Sequence, residues 1–204
     1  MRDRDIRQSL RRCLEHAHNG CHGKTLFIDE LGLCQGNARV DLAVVNGSLS
    51  GFEIKSERDT LQRLPHQVQI YSRALDSVTI VANGLHVKKI GQLIPEWWGI
   101  IEAFMKEGEV AFSVVRQDSR NPDLDPFAVA QLLWRPEVVA ILNELGLDKG
   151  LSGKSRRVLW DCLAQVLPLN QLRERVRETL KAREHWRSGL PPSLDDGLFQ
   201  SSAT

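Results

Sequence analysis

The chain has 204 residues, 42% hydrophobic and 26% charged, the proportions of an ordinary globular protein with apolar mass for one full core and a small appendage. A formal net charge of +1 excludes a whole-molecule basic field as the reason for binding nucleic acid, so any such affinity must be local. No stretch approaches the roughly 20 apolar residues that span a bilayer, and the Arg-rich start is not followed by an apolar signal region, so no membrane segment is expected and a cytoplasmic protein is.

Residues 4–18 read as a basic amphipathic helix: Ile6, Leu10, Cys13 and Leu14 are spaced by three and four, and Glu15 sits near its end. Just beyond, His18, Cys21 and His22 join Cys13 and His16 as zinc-ligand types, but their spacing matches no standard finger. A buried Cys13 and a polar helix end account for them. With Cys34 and Cys162 these cysteines are expected to be reduced thiols, because they have neither regular spacing nor a secretory signal. The run KTLFIDELGL is compatible with a strand carrying Asp29 and Glu30, and CQGN supplies the turn after it.

Next come RVDLAVV, a turn at Asn46-Gly47, and GFEIK, two strands joined by the strongest short hairpin signal. Strand alternation sends Glu53 and Lys55 to one side and Phe52 and Ile54 to the other. The hairpin can bring Asp41 beside the Glu53/Lys55 side. Two carboxylates and an ammonium gathered at a strand edge are costly if dry and unpaired, so they call for a divalent cation, a phosphate or water. The alternative is a solvated surface hairpin whose Glu53–Lys55 pair needs no function.

After Lys55, SERDTLQRLPHQVQIYSRALD reads as helical in two parts, with Pro65 in the first turn of the second. Gln67 and Tyr71, four apart, project from one face of that second helix, and Asp59 and Arg63 share the same spacing, which suits an ion pair. SVTIVAN is a buried strand, so the order becomes α-β-β-β-α-β with a parallel crossover. LHVKKIGQLIP suits a short helix. WWGIIEAF and VAFSVVR suit a strand pair extending the sheet, with Trp97 and Trp98 expected as packing rather than base-stacking residues.

Asp41, then Glu53-Ile54-Lys55 after a hairpin, then a helix with Gln67 and Tyr71, resembles the core of the PD-(D/E)XK nuclease superfamily in its RecB-type variant, whose helix carries a QxxxY motif. The likeness covers residues 5–85. It extends to a group of small bacterial members in which an RxDL strand precedes an EIKSExD segment, matched here by Arg39, Asp41 and Leu42 and by Glu53 to Ser56, Glu57 and Asp59. The proline that usually precedes the first Asp is replaced by Val40.

The resemblance implies a restriction-endonuclease-like α/β core with a mixed sheet, and metal-dependent hydrolysis of phosphodiester bonds. It implies Mg2+ or Mn2+ held by Asp41, Glu53 and the Ile54 carbonyl, with Glu30 or Glu15 completing the shell. Lys55 would orient or deprotonate a water, Gln67 would position it, and Tyr71, Arg39 and Arg63 would support the site or touch substrate. Nucleic acid is the implied partner, DNA favoured over RNA. A homodimer or a protein partner stays open, as does a non-cleaving binding protein on the same fold.

A break at QDSRNPDLDP separates this core, 1–118, from a helical basic region, 119–190, and a tail, 191–204, expected to be disordered. Lys154, Arg156, Arg157, Arg173, Arg175, Arg177, Lys181, Arg183 and Arg187 can grip phosphates or form a solvated surface, because Glu174, Glu178 and Glu184 interleave with them.

Overall fold

In the computed structural model, residues 1–19, 24–147, 150–151 and 153–183 are described. A six-stranded sheet forms the centre, its strands β1 (Leu26–Leu33), β2 (Ala38–Val45), β3 (Leu49–Lys55), β4 (Ser77–Asn83), β5 (Gly99–Lys106) and β6 (Glu109–Arg116) adjacent in chain order. β1, β2 and β3 pair antiparallel, β3–β4 and β4–β5 pair parallel, and β5–β6 is again antiparallel. The sheet is therefore mixed. Helix α1 (Asp3–Ala17) precedes it, α2 (Leu64–Ala74) joins β3 to β4, and α3 (Gly84–Gly91) joins β4 to β5. The α-β-β-β-α-β order read from the sequence is the observed one.

The hairpin's apolar side chains divide between two layers, and Val40 falls opposite Leu42 because the β1–β2 register skips Glu30 and Asp41, which breaks the alternation of β2 there. Leu42, Ile54, Val81 and Ala103 pack with Ile6 and Leu10 of α1. Val40, Ala43 and Val45 join Ile70, Tyr71, Ala74 and Leu75 on the α2 side. Gly51 has no side chain because α2's end comes in there: a Cβ would lie 2.5 Å from Leu75 Cδ1. Trp98 is fully buried in the same layer and stacks on Tyr71 with ring planes 10° apart, as expected of a packing residue.

Four C-terminal helices, α4 (Pro126–Ala130), α5 (Arg135–Glu144), α6 (Arg156–Val166) and α7 (Leu169–Ala182), bury Val129, Leu133, Leu142, Leu159, Leu163, Leu172 and Val176 in a core continuous with the α2 side of the sheet. Asp76, at the start of β4, fastens them. Its carboxylate accepts from Leu49 N–H at 2.7 Å and from Arg173 Nε at 2.6 Å, and Arg177 lies 3.8 Å away. Arg175 pairs with Glu144, and Arg183 with Glu137 and the Leu132 carbonyl. Four of the basic residues considered for phosphates therefore have partners inside the fold, whereas Lys154, Arg156 and Arg157 are exposed. Arg187, Glu184 and the tail lie outside the described residues.

Three local expectations are corrected. Residues 56–63 are turns, not a first helical part, because Asp59 accepts from Ser56 N–H at 2.7 Å and from Ser56 Oγ at 2.6 Å, closing a loop where a helix would run on. That engagement replaces the Asp59–Arg63 pair. Cys13 is exposed and Cys34 is the buried thiol, since the buried stripe of α1 runs through Ile6 and Leu10 and Cys13 falls off it. Cys13, Cys34 and Cys162 are free thiols; Cys21 and His22 lie outside the described residues. Among the described residues no helix is long and apolar enough to cross a membrane.

Candidate active site

The β2–β3 ladder stops at Leu42–Phe52 although both strands run on, β2 back to Ala38 and β3 forward to Lys55. Where the strands part, Asp41 Oδ2 accepts the N–H of Ile54 at 2.7 Å, a side chain standing in for the next rung. The N–H and C=O of one extended residue point to the same edge of a strand, so the Ile54 carbonyl is also turned toward this parting. On its other edge β3 stays paired to β4 through Lys55–Ala82, which keeps the motif strand rigid.

Glu53 and Lys55 leave β3 on the α2 side and are almost completely buried, at 3% and 4% exposure. Burial of this kind requires partners. Lys55 Nζ donates to Glu53 Oε1 at 2.6 Å and to Gln67 Oε1 at 3.0 Å. Gln67 Nε2 donates to the same Glu53 oxygen at 2.6 Å, so one α2 amide spans both charged groups. The Tyr71 hydroxyl lies 2.7 Å from Glu53 Oε2 and 2.6 Å from the Arg39 carbonyl; having one proton, it donates to one of them at a time. Burial, and then the Glu53 charge, push the Tyr71 pKa up, so it stays a neutral donor. Helical spacing of four is what delivers both α2 residues to one carboxylate.

Asp41 is different: its side chain keeps 19% exposure, and its pKa is pushed up to about 7. Burial is the main cause and the Glu53 carboxylate the second, while the Ile54 N–H and the Arg7 guanidinium pull the other way. Arg7, on α1, was not singled out from the sequence. Its Nη2 donates to Asp41 Oδ1 at 3.0 Å, and its Nη1 reaches the Asp41 carbonyl at 3.2 Å and Glu30 Oε1 at 2.5 Å. The one available signal was that Arg7 and Arg11 stand four apart on the amphipathic helix, which cannot say which acids they meet.

Glu30 and Glu15, the other two expected ligands, are engaged by arginines of α1. Arg11 Nε takes Glu15 at 2.9 Å, and Arg11 Nη1 takes Asp29. Glu30 is the partner of Arg7, placed there by a left-handed backbone (φ 56°). That conformation resets the strand alternation, so Ile28 and Leu31 both enter the α2-side core and the intervening Asp29 and Glu30 are both left exposed to the α1 arginines. Among the described residues no three His, Cys, Asp or Glu side chains gather closely enough to hold a metal ion. Arg39 contributes its backbone carbonyl, its side chain being 64% exposed and 3.9 Å from Glu30; Arg63 is exposed just before α2.

The remaining donors are the Asp41 and Glu53 carboxylates and the Ile54 carbonyl. These are hard oxygens, the set Mg2+ or Mn2+ accepts while retaining waters, and a buried carboxylate pair that raises the pKa of one member gains from a cation. The donor chemistry fits such an ion. A cavity of ≈ 440 Å³, lined by residues 59–62, Pro65, His86, Lys89 and Leu93, is formed by segments that follow β3 and β4, on the Lys55 side. A larger one, ≈ 540 Å³, is lined by Gly47, Ser48 and Asp76 at the other end of the sheet and includes no motif residue.

The family described as bacteriophage P4 protein cII matches residues 5–190. Protein cII of Enterobacteria phage P4 is 31% identical over 159 residues, 78% of this chain and 60% of that protein, so the chain spans less than two thirds of this relative's length. Among solved structures, the SPO1766 protein of unknown function from Silicibacter pomeroyi aligns over 70% of this chain and 88% of its own, with a TM-score of 0.39 and 18% identity, too distant to bear on function.

Proposed function

The chain belongs to the bacteriophage P4 protein cII family, and we propose that this member is a PD-(D/E)XK-type nuclease, dependent on Mg2+ or Mn2+, that hydrolyses phosphodiester bonds of nucleic acid, DNA before RNA. The observation that carries the reading is the single buried network of Glu53, Lys55 and Gln67 beside the Asp41–Ile54 crossing. A surface hairpin with an incidental ion pair would have left Lys55 in water.

Asp41, Glu53 and the Ile54 carbonyl would hold the ion. When bound, such an ion acidifies a coordinated water and polarises a phosphoryl oxygen. The protein's own part is positioning and charge. Lys55 spends two N–H groups on Glu53 and Gln67, and among the described residues its third has no protein partner, leaving it to face a water or a phosphate oxygen. Gln67 fixes the Lys55–Glu53 pair from both ends, and Tyr71 holds the other Glu53 oxygen, so neither charged group can turn away.

A second reading, a nucleic-acid-binding or partner-binding protein on this fold that does not cut, is favoured by one observation: protein donors already engage both Glu53 oxygens. Incubating the protein with single-stranded DNA, duplex DNA and RNA, with Mg2+ or Mn2+, beside Glu53→Ala and Lys55→Ala separates the two. Metal-dependent cleavage lost in both variants supports the nuclease. Binding without cleavage of any of the three supports the second reading, and cleavage surviving in both variants removes these residues from the site.

A further inference from the structure

We propose that Arg7 is an internal cation for Asp41, which an incoming divalent ion must displace, so that Arg7 sets the ion concentration at which the site fills; this rests on the nuclease reading above. Both Asp41 oxygens are engaged by the protein, Oδ2 by the Ile54 N–H and Oδ1 by Arg7 Nη2. The Ile54 bond belongs to the sheet and survives metal binding, because a carboxylate oxygen has a second lone pair. The Arg7 bond is a different matter. A guanidinium and a divalent ion on the same carboxylate oxygen repel each other strongly at contact distance in a partly buried site.

Arg7 also has somewhere to go. Glu30 Oε1 already accepts from its Nη1, and Asp3 Oδ2 lies 3.5 Å from Nη2 one helical turn back. Glu30 and Asp3 are 42% and 46% exposed, so the guanidinium can leave Asp41 for these two carboxylates and water without being stranded in an apolar layer. Glu30 then acts on the ion indirectly, as the residue that receives Arg7. Displacement is reciprocal: by whatever factor the ion weakens the Arg7–Asp41 contact, Arg7 weakens ion binding.

The test is Mn2+ binding, followed by the electron paramagnetic resonance of free Mn2+, for wild type and Arg7→Gln, a variant that keeps a polar side chain of similar stem. Arg7→Gln is expected to bind Mn2+ tighter by on the order of tenfold. In wild type, a titration with diamagnetic Mg2+ followed by the Arg7 Nε–H resonance needs no variant; that signal is expected to move and to saturate with ion binding. Equal or weaker binding by Arg7→Gln, or an Arg7 resonance unmoved at saturating Mg2+, overturns the proposal while leaving the nuclease reading standing. If neither folded protein binds Mn2+, the nuclease reading falls and this inference falls with it.

Discussion

The carboxylate of Asp41 crosses from β2 to accept the backbone N–H of Ile54 on β3, at 2.7 Å, just past the last rung of the β2–β3 ladder. One side chain thus closes the sheet where the strands part and presents its other oxygen to the site. Structure and chemistry are separable there. Asp41→Ala leaves the Ile54 N–H without its acceptor and should cost about 1–3 kcal/mol of stability. Asp41→Asn keeps an oxygen for that N–H but removes the charge, so it should keep this hydrogen bond and lose divalent-ion binding. Chemical denaturation and ion titration of the two variants check the split.

Asp41 also makes a signed prediction for pH. Its folded-state pKa of about 7 lies above the 3.8 of a free side chain, so between those values the folded protein holds a proton that the unfolded chain releases. This contribution to stability is full below the unfolded pKa and is lost as pH rises toward about 7. Without divalent ions, wild type should therefore lose stability relative to Asp41→Asn from pH 4 to pH 7, by a few kcal/mol at most, roughly 1.4 per unit of displacement. Urea midpoints of both proteins across that range measure it, and a constant difference would contradict it.

Gln67 and Tyr71 should behave unequally. Gln67→Ala removes a contact from both Lys55 and Glu53 and should lower cleavage by about 10–100-fold. Tyr71→Phe keeps the stack on Trp98 and removes one Glu53 donor, so its effect on the rate should be smaller. Single-turnover rates at saturating metal rank the two, and a rate for Tyr71→Phe below that of Gln67→Ala would reverse the assigned roles.

The C-terminal arginines should divide into two groups. Arg173→Ala leaves the Asp76 carboxylate, 5% exposed, without its nearest cation, and should destabilise the protein by about 3–5 kcal/mol. Arg156→Ala and Arg157→Ala, both on the surface, should leave thermal stability unchanged and report only on nucleic-acid affinity and its salt dependence.

How much of this was legible in the sequence depends on how local each feature is. The placing of Glu53 and Lys55 on one side and the Gln67/Tyr71 face follow from periods of two and four and hold in the fold, whereas period two would put Val40 on one face with Leu42, and the structure places it with Ala43 and Val45 in the other layer. The 56–63 loop was misread because its apolar and charged residues mimic helical spacing, while the Asp59–Ser56 hydrogen bonds that stop a helix are a choice made by one side chain. Arg7 meeting Asp41 spans 34 positions and Arg173 meeting Asp76 spans 97, and no local pattern encodes such pairings. Glu30 adds a further reason: a left-handed residue inside a strand turns the side chains away from simple alternation.

Lys55→Met tests the centre most directly, since it removes the ammonium, keeps the buried stem, and leaves Glu53 its Gln67 and Tyr71 donors. With Mg2+ present and Mn2+ binding verified separately, single-turnover cleavage of end-labelled duplex DNA should fall by about 10²–10⁴-fold in Lys55→Met while the variant still binds the ion. A variant that binds the ion and cuts at the wild-type rate would contradict a nuclease centred on Lys55.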